Sequence, residues 1–592
     1  MSKGTKITYG DFAVGAKENF VISTTENEFN TLEQLKENNL NFKNFANPCE
    51  LYQTLLDGTA TAFPSLLDNE NLGFWSKKTS DSDGFFRNDI GEYENLVLSL
   101  TSNKKYSSIG LTFVFDVHNQ IYPTIVQIEW YGDNIKLDSA EFYPDNAMYF
   151  CERKVENYDK IIIRFVKLNM PYNRLKLSVI DYGYGTTFLG DELRNVKIIQ
   201  EINPISSEIS INTVDFTLDS KSNIQYSFQK NQPLTLYFDE RLLATTFVKN
   251  AKRKSKNVWE VQSEDYISIM ENVMFLGGMY ENVNAGDILK DIFAVANVPY
   301  IIDDTLAEMK INGHIPYTTC RDALMQVAFA IQAVVDTSNS EVVKIFALMD
   351  DVKQTIPLER IMQGQNFEDN EVVTSVELTS HNYLTKIEKA DGTFEEPEEV
   401  EIFRAGYRSD LSLEEKEMIF FFDEPLHSLS IVNGTIIESG ANYAKIGAQI
   451  YCVLKGKKYF HQTEAKKKYN SFFNSSTDNN YVKIDTATLV SSSNVDTILN
   501  SCYNWLIKNN VKNMSIIEGK HILEPEMNLY GEKKYGTFTY GMGQEEIIYD
   551  EPVNLGDKII AQTEYLGGVM GTVIKQSFNL NGGIIVKEAV LK

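Results

Sequence analysis

Cysteine is scarce in this chain. The 592 residues hold five, Cys49, Cys151, Cys320, Cys452 and Cys502, odd in number, far apart and without a CxxC pair. That spacing excludes a disulfide frame and a thiolate zinc site, and it reads as reduced, mostly buried thiols. Long apolar runs are also missing. The best stretches, 323–335 and 418–422, are interrupted by glutamine or fall short of the roughly 20 residues that a bilayer span requires, so no membrane insertion is expected. The first 19 residues lack the apolar segment of a secretory signal, and cytoplasmic synthesis is expected. Arginine is rare too, 11 against 45 lysines.

Catalytic motifs are equally thin. Phosphate-cradling GxxxxGK[ST] loops, a GxGxxG turn, HExxH, an EF-hand loop and a GxSxG elbow are all absent. The six histidines, at 118, 314, 381, 427, 461 and 521, are scattered. His461 and Glu464 would share a helical face, but two ligands without a third hold no metal, and a surface pair beside Lys466 is the plainer reading. Asp239 and Glu240 sit between two strand candidates, where a solvated hairpin tip explains them better than a catalytic dyad. The expectation is a chain with no enzyme activity, no catalytic residues, no cofactor and no metal.

What the chain does have is negative charge. Its 82 acidic residues against 56 basic ones leave a formal net charge of −26. Binding nucleic acid through phosphate neutralisation needs clustered cations, so that mode is disfavoured, as is an anionic membrane surface. A protein that lets a polyanion pass without holding it stays open. Apolar residues at 43% and aromatics at 12% suffice for several cores and exclude a disordered chain. At about 150 residues per domain the length points to roughly four domains.

Strand-like stretches dominate. LTFVFD at 111–116, TIVQIEW at 124–130, KIIIRFV at 160–166 and RLKLSVI at 174–180 are rich in β-branched residues and spaced as in a β-sandwich. A second β series runs over 223–229, 233–238, 244–249 and 257–261. The period then changes, and amphipathic helices are predicted over 284–298, from Thr319 onward with Asp322 completing a capping box, and over 494–508. A short helix is expected at 30–38. The chain closes on a hairpin, 572–580 and 584–591, around Asn581-Gly582-Gly583.

Trp75, Trp130 and Tyr131 are candidate carbohydrate contacts, because aromatic faces stack on sugar rings. Trp130 ends a strand, from where it could project at a sandwich rim; filling the core or an interface with neighbouring domains is the favoured reading of these aromatics. The one local cationic cluster is Lys249, Lys252, Arg253, Lys254 and Lys256, expected on an exposed hairpin that faces an acidic partner or simply solvent.

Several segments, in order, resemble those of bacteriophage tail proteins. They are ITYGDFAVGAKE at 7–18, LGFWS at 72–76, YSSIGLTF at 106–113, QPLTLYFDER at 232–241, GGMY at 277–280, INGHIP at 311–316, RDALMQVAFA at 321–330 and the closing 565–591. Together the chain resembles the baseplate-hub or tail-tip proteins of phages of Gram-positive bacteria and of phage-tail-like bacteriocins (tailocins). That resemblance implies a multidomain α+β fold, mainly β. An N-terminal jelly-roll β-sandwich would precede a hub with two tail-tube-like β-barrels and small α/β domains. The expected divisions are an N-terminal segment at 1–72, a galactose-binding-like jelly roll at 73–190, part of a first barrel at 191–265, an α/β domain at 266–370, a second barrel region at 371–480 and a C-terminal α+β region at 481–592.

By the same resemblance the chain is a structural virion protein made in the bacterial cytoplasm. It would form a homotrimer that joins the hexameric tail tube, or a distal tail protein, to a spike or tip protein. A central channel would pass the tape-measure protein and DNA without specific binding. A carbohydrate-binding adhesin for host cell-wall glycan is the alternative, and a cell-wall hydrolase ranks below both.

Overall fold

A computed structural model describes residues 5–13, 15–24, 74–88, 90–116, 119–190, 192–220, 228–238, 241–358, 366–368, 372–404, 416–448, 452–471, 480–485, 488–508, 513–521, 526–527, 533–534, 553–563, 567–581 and 584–591. The helix expected at 30–38, together with Asp239 and Glu240, lies outside them. Strands dominate the described chain, which forms two compact units.

The first unit comprises residues 8–187 and 227–233. Two long strands organise it, Leu96–Phe115 and Met148–Leu168, paired antiparallel along most of their length. Their ends take different partners. Residues 98–101 pair with Val21–Thr24, while 112–115 pair with Arg174–Asp181. The later half of Met148–Leu168 pairs with Pro123–Gly132, which carries the edge strand Ile135–Phe142. Register shifts near Tyr106, Ser108 and Gly110 bend the long pair, as bulges do. The inward residues of both halves, Leu98 and Leu100 with Phe113 and Phe115, join one core. The segment 8–24 belongs to this unit, across the division expected at 72. Phe20 is the reason: it stacks on Tyr182 at 4.8 Å and is fully buried with Tyr158.

The second unit holds most of the remainder. Its spine is an antiparallel succession: Asn513–His521, Ile584–Leu591, Gly567–Asn581, Leu193–Glu201, Thr213–Asp219, Val258–Glu264 and Arg241–Arg253. The predicted closing hairpin is present and feeds this sheet from the far end of the chain.

Four short helices, Tyr266–Glu271, Ala285–Ala296, Asp304–Ala307 and Cys320–Ile331, and small strands follow. Ala285–Ala296 and Cys320–Ile331 pack together around Ile288, Leu289, Ile292, Leu324, Val327 and Ala328. The predicted cap is there, with Asp322 N donating to Thr319 Oγ1 at 3.1 Å. Strand Val343–Phe346 runs parallel to Tyr300–Ile302, completing a local α/β domain.

Beyond it, strand Ser375–Leu384 pairs antiparallel with Phe460–Tyr469 and parallel with Tyr481–Ile484. Between Ser375–Leu384 and Phe460–Tyr469 the chain builds a small β domain of two three-stranded sheets, 399–404/453–458/426–432 and 416–421/443–448/435–439. Its core is Ala444, Ile446, Cys452 and Leu454. Helix Val495–Tyr503 lays Val495, Ile498, Leu499 and Cys502 on Val376 and Leu378. Cys151, Cys320, Cys452 and Cys502 are buried free thiols.

Candidate functional site

The strand Pro123–Gly132 alternates inward and outward residues. Val126, Ile128 and Trp130 point into the core, while Gln127, Glu129 and Tyr131 are half-buried on the other face. Trp130 is 0% exposed, which removes it as a platform for a sugar ring and agrees with the core-filling reading over the rim position. The physical reason is the period of two: a residue two places beyond buried Ile128 faces inward even at the strand's end. Trp75 falls in strand Phe74–Thr79, and its side chain lies outside the described residues. The three aromatics therefore do not form one surface.

Tyr131 stands in a charged cluster instead. Its hydroxyl donates to Glu129 Oε2 at 3.1 Å, and the same carboxylate receives Lys136 at 2.6 Å and Arg164 at 2.8 Å. The Lys136 and Arg164 hydrogen bonds hold the Glu129 carboxyl down to about 2. Lys160 Nζ lies 5.6 Å from the Tyr131 ring centre.

The cationic cluster at 249–256 is a hairpin tip whose charge is partly met by its own hairpin. Lys249 bonds Glu264 at 2.8 Å, Lys254 bonds Glu260 at 2.9 Å, and Arg253 lies over Trp259. Among the described residues, no group of three or more His, Cys, Asp and Glu side chains is placed to hold a metal ion. Nor is any described helix long and apolar enough to cross a membrane.

The most built-up polar site joins the α/β domain to the small β domain. Asn442 is buried just before strand Tyr443–Ala448. Its amide nitrogen donates to the carbonyl oxygens of Leu276 at 2.8 Å and Ile315 at 2.7 Å. Both hydrogens are thereby used, so His314 Nε2, 2.6 Å from Asn442 Oδ1, must be the donor of that bond. Gly277 makes room for the amide. It has φ +64°, and a Cβ there would meet Ile315 O at 2.2 Å and Asn442 Nδ2 at 2.7 Å. Tyr317 stacks on Phe421 at 4.2 Å across the same joint.

Rings continue outward from His314. Its imidazole meets Tyr383 edge-on at 5.4 Å, and Tyr383 lies parallel to His461 at 4.4 Å and 3°. His461 in turn stacks with His381, whose Nδ1 is 3.0 Å from His461 Nε2. His381 Nε2 donates to the Asp485 carbonyl oxygen at 3.0 Å. His427 and Tyr459 lie alongside at 4.8 Å. Burial holds His314 and His381 below the ordinary histidine value and pushes Tyr383 up to about 12. Sequence reasoning missed this gathering because it placed His461 on a helix beside Glu464. His461 is in a strand, opposite a residue 78 positions earlier, Tyr383.

No protein-family model matches the chain, and neither does any curated protein sequence. Among solved structures it is similar to the tail protein from Neisseria meningitidis, at 9% identity over 67% of this chain and 92% of that one, with a TM-score of 0.38. It is also similar to the 43 kDa tail protein of prophage MuSo2 from Shewanella oneidensis, at 7% identity, 69% and 94% coverage and a TM-score of 0.37. The prophage tail protein gp18 from Listeria monocytogenes matches at 8% identity, 69% and 91% coverage and a TM-score of 0.36.

Proposed function

We propose that this chain is a non-enzymatic structural protein of a phage or tailocin tail, acting as a homotrimeric baseplate-hub or tail-tip adaptor. It joins the tail tube or a distal tail protein to a spike or tip protein and surrounds a channel for the tape-measure protein and DNA. A Gram-positive host belongs to the same reading. The observation that carries it is the order of the tail-like sequence segments, together with where they fall. YSSIGLTF lies in the long strand Leu96–Phe115, INGHIP covers most of strand Lys310–Ile315, and RDALMQVAFA lies within helix Cys320–Ile331. Each is a packing element, as expected of segments retained for architecture. On this reading residues 73–190 act as the galactose-binding-like jelly roll, and the β segments at 191–265 and 371–480 supply the tube-like barrels. The net charge of −26 suits a wall that DNA phosphates pass without sticking.

Native mass measurement of the purified full chain tests the trimer, and imaging of labelled particles tests the place. A trimer at the tail end is expected. A chain that stays monomeric at high concentration and is missing from particles overturns the proposal.

A second reading is favoured by the outward cluster of Tyr131, Glu129, Arg164 and Lys136, an aromatic beside fixed polar groups, which is the composition of a sugar contact. Pull-down of the full chain on host cell-wall glycan tests it. Retention that falls on Tyr131→Ala supports the adhesin, and no retention by the native protein ends it.

A further inference from the structure

Four of the six histidines in the chain, His314, His381, His427 and His461, converge on the joint between the α/β domain and the small β domain. We propose that His381 and His461 form a proton-operated catch: with at most one proton added, the pair ties strand Ser375–Leu384 to Phe460–Tyr469, and a second proton parts them and loosens the joint.

The hydrogen-bond roles fix how many protons the pair can take. A carbonyl only accepts, so His381 Nε2, bonded to Asp485 O at 3.0 Å, carries a hydrogen. In the neutral ring Nδ1 is then a lone pair, and His461 Nε2 must donate to it across 3.0 Å. His461 keeps a free lone pair on Nδ1 and is an exposed residue. A first proton taken there charges His461 and leaves its Nε2–H donating as before. The only lone pair left in the two rings is His381 Nδ1. A second proton placed on it sets N–H against N–H and cation against cation, so the bond breaks.

Charged and titratable groups stand on the elements around the pair; helix Val495–Tyr503 brings Asp496, which is bonded to Lys466 at 2.9 Å. On the same strand stand Glu377 and Tyr383, and on the partner strand Lys467 lies opposite Glu377 and Glu464 opposite Ser380. Lys386 lies over Phe394, beyond the end of the strand. The α/β domain contributes buried His314 at Tyr383 and Glu281 near Tyr459. The small β domain contributes His427, beside Tyr459. The Asp485 carboxylate favours a charged His381, but it already has Lys483 at 3.3 Å. Among the described residues no carboxylate hydrogen-bonds either ring. Burial and the neighbouring His461 both hold His381 below the usual histidine value. A histidine lowered in this way binds fewer protons folded than unfolded, so the closed joint loses stability as pH falls below the unfolded value.

The parting reaches the domain joint through rings already in contact. Tyr383 is parallel to His461 on one side and touches His314 on the other, and His314 holds Asn442. Separating the strands removes the support on which that buried donor rests.

Backbone amide exchange of the full chain, corrected for the intrinsic pH dependence, tests the catch. In the native protein, protection over 375–384 and 460–469 falls about tenfold or more between about pH 8 and about pH 5, while helix Cys320–Ile331 stays protected. His461→Gln keeps a side-chain donor but cannot charge, so only the part of the loss that comes from burial of His381 remains and the loss shrinks. His427→Gln, outside the pair, leaves the loss intact. A native protein with flat protection, or a His461→Gln protein that opens in acid as the native one does, overturns the proposal.

Discussion

Asn442 receives a hydrogen bond from buried His314 at 2.6 Å while its own amide caps two carbonyl oxygens of the same neighbouring domain. One side chain thus satisfies three polar groups, those of His314 and Ile315 in buried bonds and that of Leu276 in a partly buried one. Asn442→Ala orphans all three, and each unmade buried bond costs about 1–3 kcal/mol. The expected result is a loss of several kcal/mol by that reckoning, read as a lower urea midpoint and faster proteolysis between the α/β domain and the small β domain. Gly277→Ala gives a similar loss, because its Cβ would displace the same amide.

Lys176 and Asp116 pair at 3.2 Å, both side chains only 1% exposed, with Asn119 completing the carboxylate's bonds. Lys176→Met leaves that charge buried without its cation, which lowers stability by about 3–5 kcal/mol. Adding Asp116→Leu removes the stranded charge and restores much of the loss. Thermal melts of the single and double variants check both statements.

Trp130 and Tyr131 are adjacent and face opposite ways. Trp130→Ala empties a filled core and lowers stability by about 3–5 kcal/mol. Tyr131→Ala removes only a half-buried ring, and its unfolding midpoint moves by a small fraction of that amount. Denaturant titration of the two variants side by side measures the difference.

Asp265 caps helix Tyr266–Glu271 from a fully buried position, where it accepts from Ile267 N, Asn212 N and the Thr337 hydroxyl. Burial pushes its carboxyl up to about 7 against those bonds, which lower it. The folded chain therefore holds a proton there that the unfolded chain has lost above roughly pH 4. The stability from this group is full below that pH and is lost as pH rises through about 7. Urea midpoints should decline across that window in the native protein, and Asp265→Asn should flatten the decline.

Local rules were sufficient wherever the signal was local. Thr319 caps its helix three residues before Asp322, the 3.6-residue period places Ile288, Leu289 and Ile292 inward, and the closing strands Gly567–Asn581 and Ile584–Leu591 pair antiparallel. The alternation through Val126, Ile128 and Trp130 was equally readable, and continuing it one step would have put Trp130 inside. The sequence by itself thus determined a mainly β chain with three well-marked helices and a strong negative charge. Tertiary structure alone decided which distant residues meet. His381 and His461 are 80 positions apart, His314 and Asn442 are 128 apart, and Asp116 and Lys176 are 60 apart. Their meeting depends on strand register and domain packing, which are set by the sum of many buried contacts. Spacing along the chain carries no trace of that sum.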